Sequence, residues 1–124
     1  MNERGFTLIE LFTAIFLLTI GLLGTAALTA GVIRGNVAAK NLTTATTIAQ
    51  SCLQENRRVG YTDAGSTGCT TATTNVTMGG VTFSRALTIA TGTNEKTLTV
   101  TVTWSEGTVG SKSITLSTVL ASGT

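Results

Sequence analysis

Residues 5–34 read GFTLIELFTAIFLLTIGLLGTAALTAGVIR, and this stretch determines how the rest of the chain is interpreted. It contains a run of 23 residues without a charge, Leu11 to Ile33, bounded by Glu10 and Arg34. As a helix, a run of that length crosses a hydrocarbon core of about 30 Å. A cleaved secretory signal has a shorter apolar region followed by a small-x-small site, and no such site closes this run. We therefore expect one membrane-spanning helix near the start of the chain.

The helical pattern continues beyond the apolar run, from Asn36 to Arg57. Apolar residues recur there at alternating steps of four and three, which places them on one helix face. The residues on this face are Ala38, Leu42, Ala45, Ala49 and Cys52, flanked by Ile48 and Leu53. Gly60 follows two arginines and is a plausible helix stop. The sequence therefore predicts a single helix from Phe6 to Arg57.

The second half of the chain has the period of a β-strand. Threonines at every second position from Thr97 to Thr103 alternate with the apolar residues from Leu98 to Trp104, as in a half-buried strand. Similar patterns at 81–89 and 114–120 predict two more strands, and Gly79-Gly80 suggests a hairpin to a short fourth strand at 75–78. A sheet of this size needs an apolar cover, which the striped helix can supply. We expect an α+β fold with the distal helix packed on a small antiparallel meander.

Composition excludes several classes of function. Charged residues make up 11% of the chain and hydrophobic residues 42%, which is typical of a membrane segment joined to an uncharged exported domain. The net charge of +2 is scattered, so composition does not support nucleic-acid binding. The chain has no histidine and only two cysteines, so it cannot form a Ser-His-Asp triad or a three-ligand zinc site from those residues. We expect no enzyme activity, no catalytic residues, no cofactor and no metal.

The two cysteines are Cys52 on the predicted helix and Cys69 in the loop that follows. In an oxidising compartment they can form a disulfide that ties the loop to the helix. The alternative is two free thiols, with Cys52 buried in the apolar stripe.

The string Gly5-Phe6-Thr7-Leu8-Ile9-Glu10, followed by the apolar run, resembles the processing site of type IV prepilins and pseudopilins. The resemblance implies a type IV pilin-like fold with a leader at residues 1–5, an assembly helix at 6–35 and an exported domain at 36–124. It also implies that a prepilin peptidase cuts between Gly5 and Phe6 and methylates the new amino terminus at Phe6. Glu10 would then pair with the Phe6 amine of a neighbouring subunit during assembly.

Three further stretches are similar to the minor pilins called PilV. They are Ile20 to Gly24, residues 49–57, and the Thr-Val-Thr-Trp strand at 101–104. The resemblance implies a single-pass protein of the bacterial inner membrane, with its N-terminus in the cytoplasm, that is later incorporated into a pilus at the cell surface. The implied partners are other pilin subunits, the prepilin peptidase and the inner-membrane assembly platform.

Three alternatives remain open at this level. A pseudopilin of a type II secretion system would share every feature up to about residue 35. A filament-borne module that captures DNA or a surface would depend on Arg85, Lys96 and Lys112 for DNA. A simple membrane anchor would keep Met1 and tolerate loss of the Glu10 carboxylate.

Overall fold

The computed structural model describes residues 5–123, and of Thr108 it describes only the backbone. It contains one long helix followed by an antiparallel sheet, so the α+β prediction is confirmed. The elements are α1 at Leu8–Asp63, β1 at Thr74–Met78, β2 at Val81–Thr91, β3 at Glu95–Ser105, a 3₁₀ turn at Gly107–Val109, and β4 at Ser111–Ala121. Met1 to Arg4, which belong to the expected leader, lie outside the described residues.

Contacts within the chain divide it into two compact units, with the division between Val37 and Ala38. The first unit consists of the apolar half of α1 and the residues before it. The second unit contains the remainder of α1 and the whole sheet.

The sheet of the second unit is a meander with the strand order β1-β2-β3-β4. Phe83 on β2 pairs with Trp104 on β3, and Val102 on β3 pairs with Ile114 on β4. The turn between β1 and β2 consists of Gly79 and Gly80, whose φ angles are 59° and 80°. Two successive positive φ angles are what a type I′ hairpin turn requires, and glycine adopts them without steric cost.

The core of the second unit lies between α1 and one face of the sheet. Its buried apolar residues are Ala45, Ile48, Ala49, Cys52 and Leu53 from α1, Cys69 from the loop, and Phe83, Leu87, Leu98, Val100, Val102 and Trp104 from the sheet. The other face carries the threonine ladder, where Thr101 and Thr115 are joined by a hydrogen bond of 3.2 Å between their hydroxyls. The alternation from residue 97 to residue 104 therefore assigns the two faces of β3 correctly.

Several boundaries differ from the sequence prediction. The helix is assigned to Asp63 rather than Arg57, although Gly60 interrupts its helical dihedrals with a φ of 84° and a ψ of −172°. β4 begins at Ser111, three residues before the expected start, because Ser111 to Ser113 pair with the end of β3. These three residues are polar, so the apolar alternation does not include them. The short fourth strand is present as β1.

The buried face of α1 is also rotated from the predicted one. Leu42 is about half exposed and Ala38 is only partly covered, whereas Asn41 and Asn56 are buried. Periodicity finds the direction of an apolar face but does not identify polar residues whose hydrogen-bond partners lie far along the chain.

Candidate functional site

The head of α1 is capped by Thr7, the residue before the helix begins. The backbone N–H of Glu10 donates to the Thr7 hydroxyl at 3.4 Å and to the Thr7 carbonyl oxygen at 3.1 Å. A threonine followed three residues later by glutamate is the spacing of a capping box. The Glu10 carboxylate also lies in the first turn, where the helix dipole favours a negative charge. Glu10 thus has a local structural role available to it in addition to the role that the resemblance implies.

Gly5 and Phe6 precede this cap and are not part of the helix. A Cβ atom built on Gly5 would have no atom within 4 Å other than those of its chain neighbours, so the fold leaves room for a side chain there. Phe6 is among the most exposed large apolar residues of the chain. The peptide bond between Gly5 and Phe6 is therefore accessible, and no contact within the described chain explains a glycine at position 5.

The apolar side chains of residues 5–37, the described part of the first unit, are not buried. The large ones are all exposed: Phe6, Leu8, Ile9, Leu11, Phe12, Ile15, Phe16, Leu17, Leu18, Ile20, Leu22, Leu23, Leu28, Val32, Ile33 and Val37. This part of α1 is long and apolar enough to cross a membrane. Since an apolar surface of this extent is unfavourable in water, lipid or other helices are needed to cover it.

The four threonines between Leu11 and Ile33 do not interrupt the apolar character of the helix. Each hydroxyl donates to a backbone carbonyl three or four residues earlier: Thr13 to Ile9, Thr19 to Ile15 and Phe16, Thr25 to Leu22, and Thr29 to Thr25, at distances of 2.8–3.0 Å. A hydroxyl satisfied in this way needs no water, which lowers the cost of placing it in hydrocarbon. This part of α1 is therefore compatible with lipid at its polar positions as well.

In the second unit, the loop between α1 and β1 is attached to α1. Cys52 and Cys69 form a disulfide with a Cα–Cα distance of 5.3 Å, and both residues are buried. Asn56, one turn after Cys52, is fully buried and donates through Nδ2 to the carbonyls of Cys52 at 3.0 Å and Cys69 at 3.2 Å. Its Oδ1 accepts the backbone N–H of Gly65 at 2.6 Å. The loop thus has two independent attachments to the same helix face.

Sequence reasoning did not identify Asn56 as a site residue. The available signal is its spacing of four residues from Cys52, which puts both side chains on one helix face. All the polar atoms of the buried amide have partners, so its burial carries no cost for unmade hydrogen bonds.

Reduction of the disulfide is expected to lower the free energy of unfolding by about 3 kcal/mol, because closing a loop of this size restricts the unfolded chain. The cysteines are 17 positions apart. Guanidinium unfolding of the full chain in detergent micelles, with and without reductant, can be followed by the fluorescence of the single buried tryptophan, Trp104. The chain with Cys52→Ala and Cys69→Ala is the control, and its midpoint should not respond to reductant. Equal midpoints for oxidised and reduced wild type would contradict the expectation.

Glu106 joins three elements at one end of the sheet. Its carboxylate accepts hydrogen bonds from the Trp104 indole N–H at 3.1 Å and from Asn41 Nδ2 at 3.3 Å, and it pairs with Lys112 Nζ at 3.1 Å. These partners, Trp104 first and then Lys112, lower the pKa of Glu106 from its ordinary value. The carboxylate therefore connects α1, β3 and β4 by accepting a hydrogen bond or pairing with a cation on each of them.

The described residues do not bring the cations expected for DNA capture together into a binding patch. Within residues 5–123, no group of three or more acidic, cysteine or histidine side chains is arranged to hold a metal ion. Arg85 donates to the Gly68 carbonyl, Lys96 donates to the Tyr61 carbonyl at 2.7 Å, and Lys112 pairs with Glu106. Lys96 and Lys112 lie at opposite ends of the β3–β4 ladder. The three cations expected for DNA capture are thus separated from one another and do not form one basic patch.

Comparison of the chain with family models, curated proteins and solved structures gave no match.

Proposed function

We propose that this chain is a subunit of a type IV pilus of the minor-pilin kind, similar to PilV. In this proposal it is held in the bacterial inner membrane by the first unit, is cut after Gly5 by a prepilin peptidase, and joins a filament through its N-terminal helix. The observation that carries the proposal is the exposed apolar half of α1, headed by a single carboxylate and joined to a folded domain. We assign the chain no catalytic role.

Helix packing provides the physical basis for moving such a subunit from membrane to filament. Lipid chains are as apolar as leucine, so an apolar helix that moves from lipid to a bundle of other apolar helices loses little hydrophobic stabilisation. The glycines of this segment have nothing within 4 Å of a built Cβ, which leaves their surfaces free for close approach by another helix. An assembly platform in the inner membrane would supply the energy for extraction, and the other pilin subunits would supply the apolar surroundings.

Glu10 gives the packing a defined register. A carboxylate at the head of a membrane helix is costly unless it is paired. After cleavage the Phe6 amine of one subunit carries a positive charge, and the Glu10 carboxylate of its neighbour can neutralise it. Because both charges lie at the same end of every subunit, pairing them fixes how far one helix is displaced along the next. The proposed mechanism is therefore apolar packing positioned by one ion pair.

The proposal is tested by N-terminal mass spectrometry of the mature chain from its own cell envelope. We expect a chain that begins at an N-methylated Phe6 and lacks residues 1–5, because the peptidase both cuts and methylates. An intact Met1 would contradict the proposal and leave a membrane-anchored domain. A cut beyond Ala30 would also contradict it and leave a conventionally secreted domain.

A further inference from the structure

One end of the second unit brings together two turns of the sheet. The Gly79-Gly80 turn connects β1 to β2, and residues 106–110 connect β3 to β4. Phe83 pairs with Trp104, and Ser105 pairs with Ser111, so both turns lie at the same end of the sheet. We name this end, with residues 38–42 of α1, the proximal end.

Contacts with α1 show that the chain enters the second unit at the proximal end. Asn41 donates to Glu106 in the second of the two turns. A Cβ built on Gly79, in the first turn, would lie 3.5 Å from Lys40 Nζ. Ala38 is the first residue of the unit and follows Val37 directly within the same helix. The part of the folded domain that is nearest along the chain to the apolar segment is therefore this end.

The proximal end exposes apolar side chains that nothing in the second unit covers. Met78, at the end of β1, is 51% exposed, and Val109, in the 3₁₀ turn, is 72% exposed. Leu42 is also about half exposed. Among the described residues of the second unit, only Val119 is a comparably exposed large apolar residue elsewhere. Exposed apolar residues in this unit are thus concentrated where the chain enters it.

The charges that face solvent at the proximal end are positive. Lys40 is exposed, and the Lys112 side chain is 45% exposed. Glu106 is the acid at this end, but its side chain is only 11% exposed and its oxygens accept from Asn41, Trp104 and Lys112. The exposed acids Asp63 and Glu95 lie at the other end, Asp63 at the end of α1 and Glu95 opposite Ala121. An anionic partner is therefore favoured over a cationic one.

Chain length limits how far Lys40 can lie from the end of the apolar run. Arg34 is the first charge after that run, and Lys40 follows six positions later. Six residues of chain span at most about 20 Å, and a lysine side chain adds the reach of its flexible stem. If the apolar run spans a bilayer, Lys40 is therefore within reach of lipid headgroups.

We propose that the proximal end rests on an anionic lipid bilayer while the subunit is stored in the membrane. Met78 and Val109 insert among the headgroups, and the ammonium groups of Lys40 and Lys112 contact lipid phosphates. Exposed apolar turn tips flanked by cations match the boundary between headgroups and acyl chains, which is apolar on one side and anionic on the other. This inference rests on the membrane-spanning role of the first unit in the proposed function, and it adds a second contact between the subunit and the membrane.

The test uses the full chain reconstituted into vesicles of phosphatidylcholine with phosphatidylglycerol. Because Cys52 and Cys69 are bridged, a new cysteine can be labelled selectively with an environment-sensitive fluorophore in M78C, V109C and T93C chains. Thr93 is exposed in the turn at the opposite end of the sheet and serves as the control. We expect blue-shifted emission at positions 78 and 109 and quenching there by nitroxide-labelled lipid several-fold stronger than at position 93.

Charge variants test the anionic component. Replacing Lys40 or Lys112 by serine in the V109C chain should weaken the lipid contact about fivefold each, the size expected for one cation at an anionic surface. R58S is the matched control, because Arg58 is an exposed cation at the opposite end of the second unit. Its position there follows from Tyr61, less than one helical turn later, whose carbonyl accepts from Lys96 at that end. In vesicles of phosphatidylcholine alone, the V109C chain with both lysines intact should show the same reduction in quenching by nitroxide-labelled lipid as the two lysine variants show in anionic vesicles.

Each other outcome overturns the inference in a distinguishable way. If the chain stays with the vesicles after alkaline washing but labels at 78 and 109 behave like the label at 93, the lipid contact is absent while the membrane span stands. If their emission shifts with protein density but is not quenched by nitroxide lipid, a second copy of the chain covers this end. If the chain is not retained by vesicles at all, both the inference and the membrane span of the proposed function are wrong.

Discussion

A chain with Gly5→Val should accumulate uncut in the membrane, with processing slowed about a hundredfold or more. In the proposed processing, the peptidase would have to bring the backbone between Gly5 and Phe6 into its active site. A β-branched side chain next to the reacting carbonyl would displace that backbone from the productive position, and misplacement by about 1 Å can cost this much in rate. The fold can accommodate the valine side chain, because a Cβ at position 5 would have no atom of the described chain within 4 Å other than those of its chain neighbours. Any loss of processing therefore reports on the peptidase and not on misfolding.

Pulse-chase labelling followed by mass spectrometry measures the ratio of uncut to cut chain. Gly35→Val is the matched control, because a Cβ on Gly35 likewise meets nothing within 4 Å and that glycine lies far along the chain from the cleaved bond. It should be cut at the wild-type rate. Normal release of Phe6 from the Gly5→Val chain would show that the glycine is not part of a cleavage site.

A chain with Glu10→Gln should be cut and stored normally but should fail to enter filaments, with incorporation reduced about a hundredfold or more. Glutamine keeps the size of the side chain and its ability to complete a capping box, so the helix should still begin at Leu8. It removes the negative charge, so in the proposed filament the amine of the neighbouring subunit would be unpaired in apolar surroundings, which carries a large free-energy cost. The fraction of the subunit in sheared filaments, relative to the membrane pool, measures the effect.

Thr7→Ala is the complementary variant. It removes the hydroxyl that accepts the Glu10 N–H while keeping the charge, so the helix end should lose about 1 kcal/mol and assembly should remain close to normal. If the two variants have the reverse effects, with Glu10→Gln assembling and Thr7→Ala failing, then Glu10 acts as a helix cap and not as the acidic partner of an amine.

The sequence predicts those parts of the fold that depend on local patterns. The uncharged run from Leu11 to Ile33 and the alternation around β3 each repeat over enough residues to determine their element, and the hairpin at Gly79-Gly80 follows from turn chemistry alone. The start of β4 was placed too late because Ser111 to Ser113 show no alternation and are in the strand only by pairing with β3.

The buried polar residues of α1 could not be found in this way. Asn41 is buried because Glu106, 65 positions later, accepts its amide hydrogen. Asn56 can be buried because its amide donates to the Cys69 carbonyl and accepts the N–H of Gly65, both in the loop that follows α1. An isolated asparagine in a helix is normally read as exposed, and only the three-dimensional arrangement shows that its partners are present. For the same reason the exposed apolar proximal end was not visible in the sequence.

The order of strands in the sheet has a consequence for how the domain forms while the chain is being synthesised. From β2 onward, each strand pairs with the one synthesised just before it, so strands can be added one at a time to a structure already present. Pairings between sequence neighbours close short loops and are fast. Only β1 waits for a later strand, β2, and each further strand finds its partner already present. Few strand edges therefore remain unpaired while the domain forms, when they could associate with other chains.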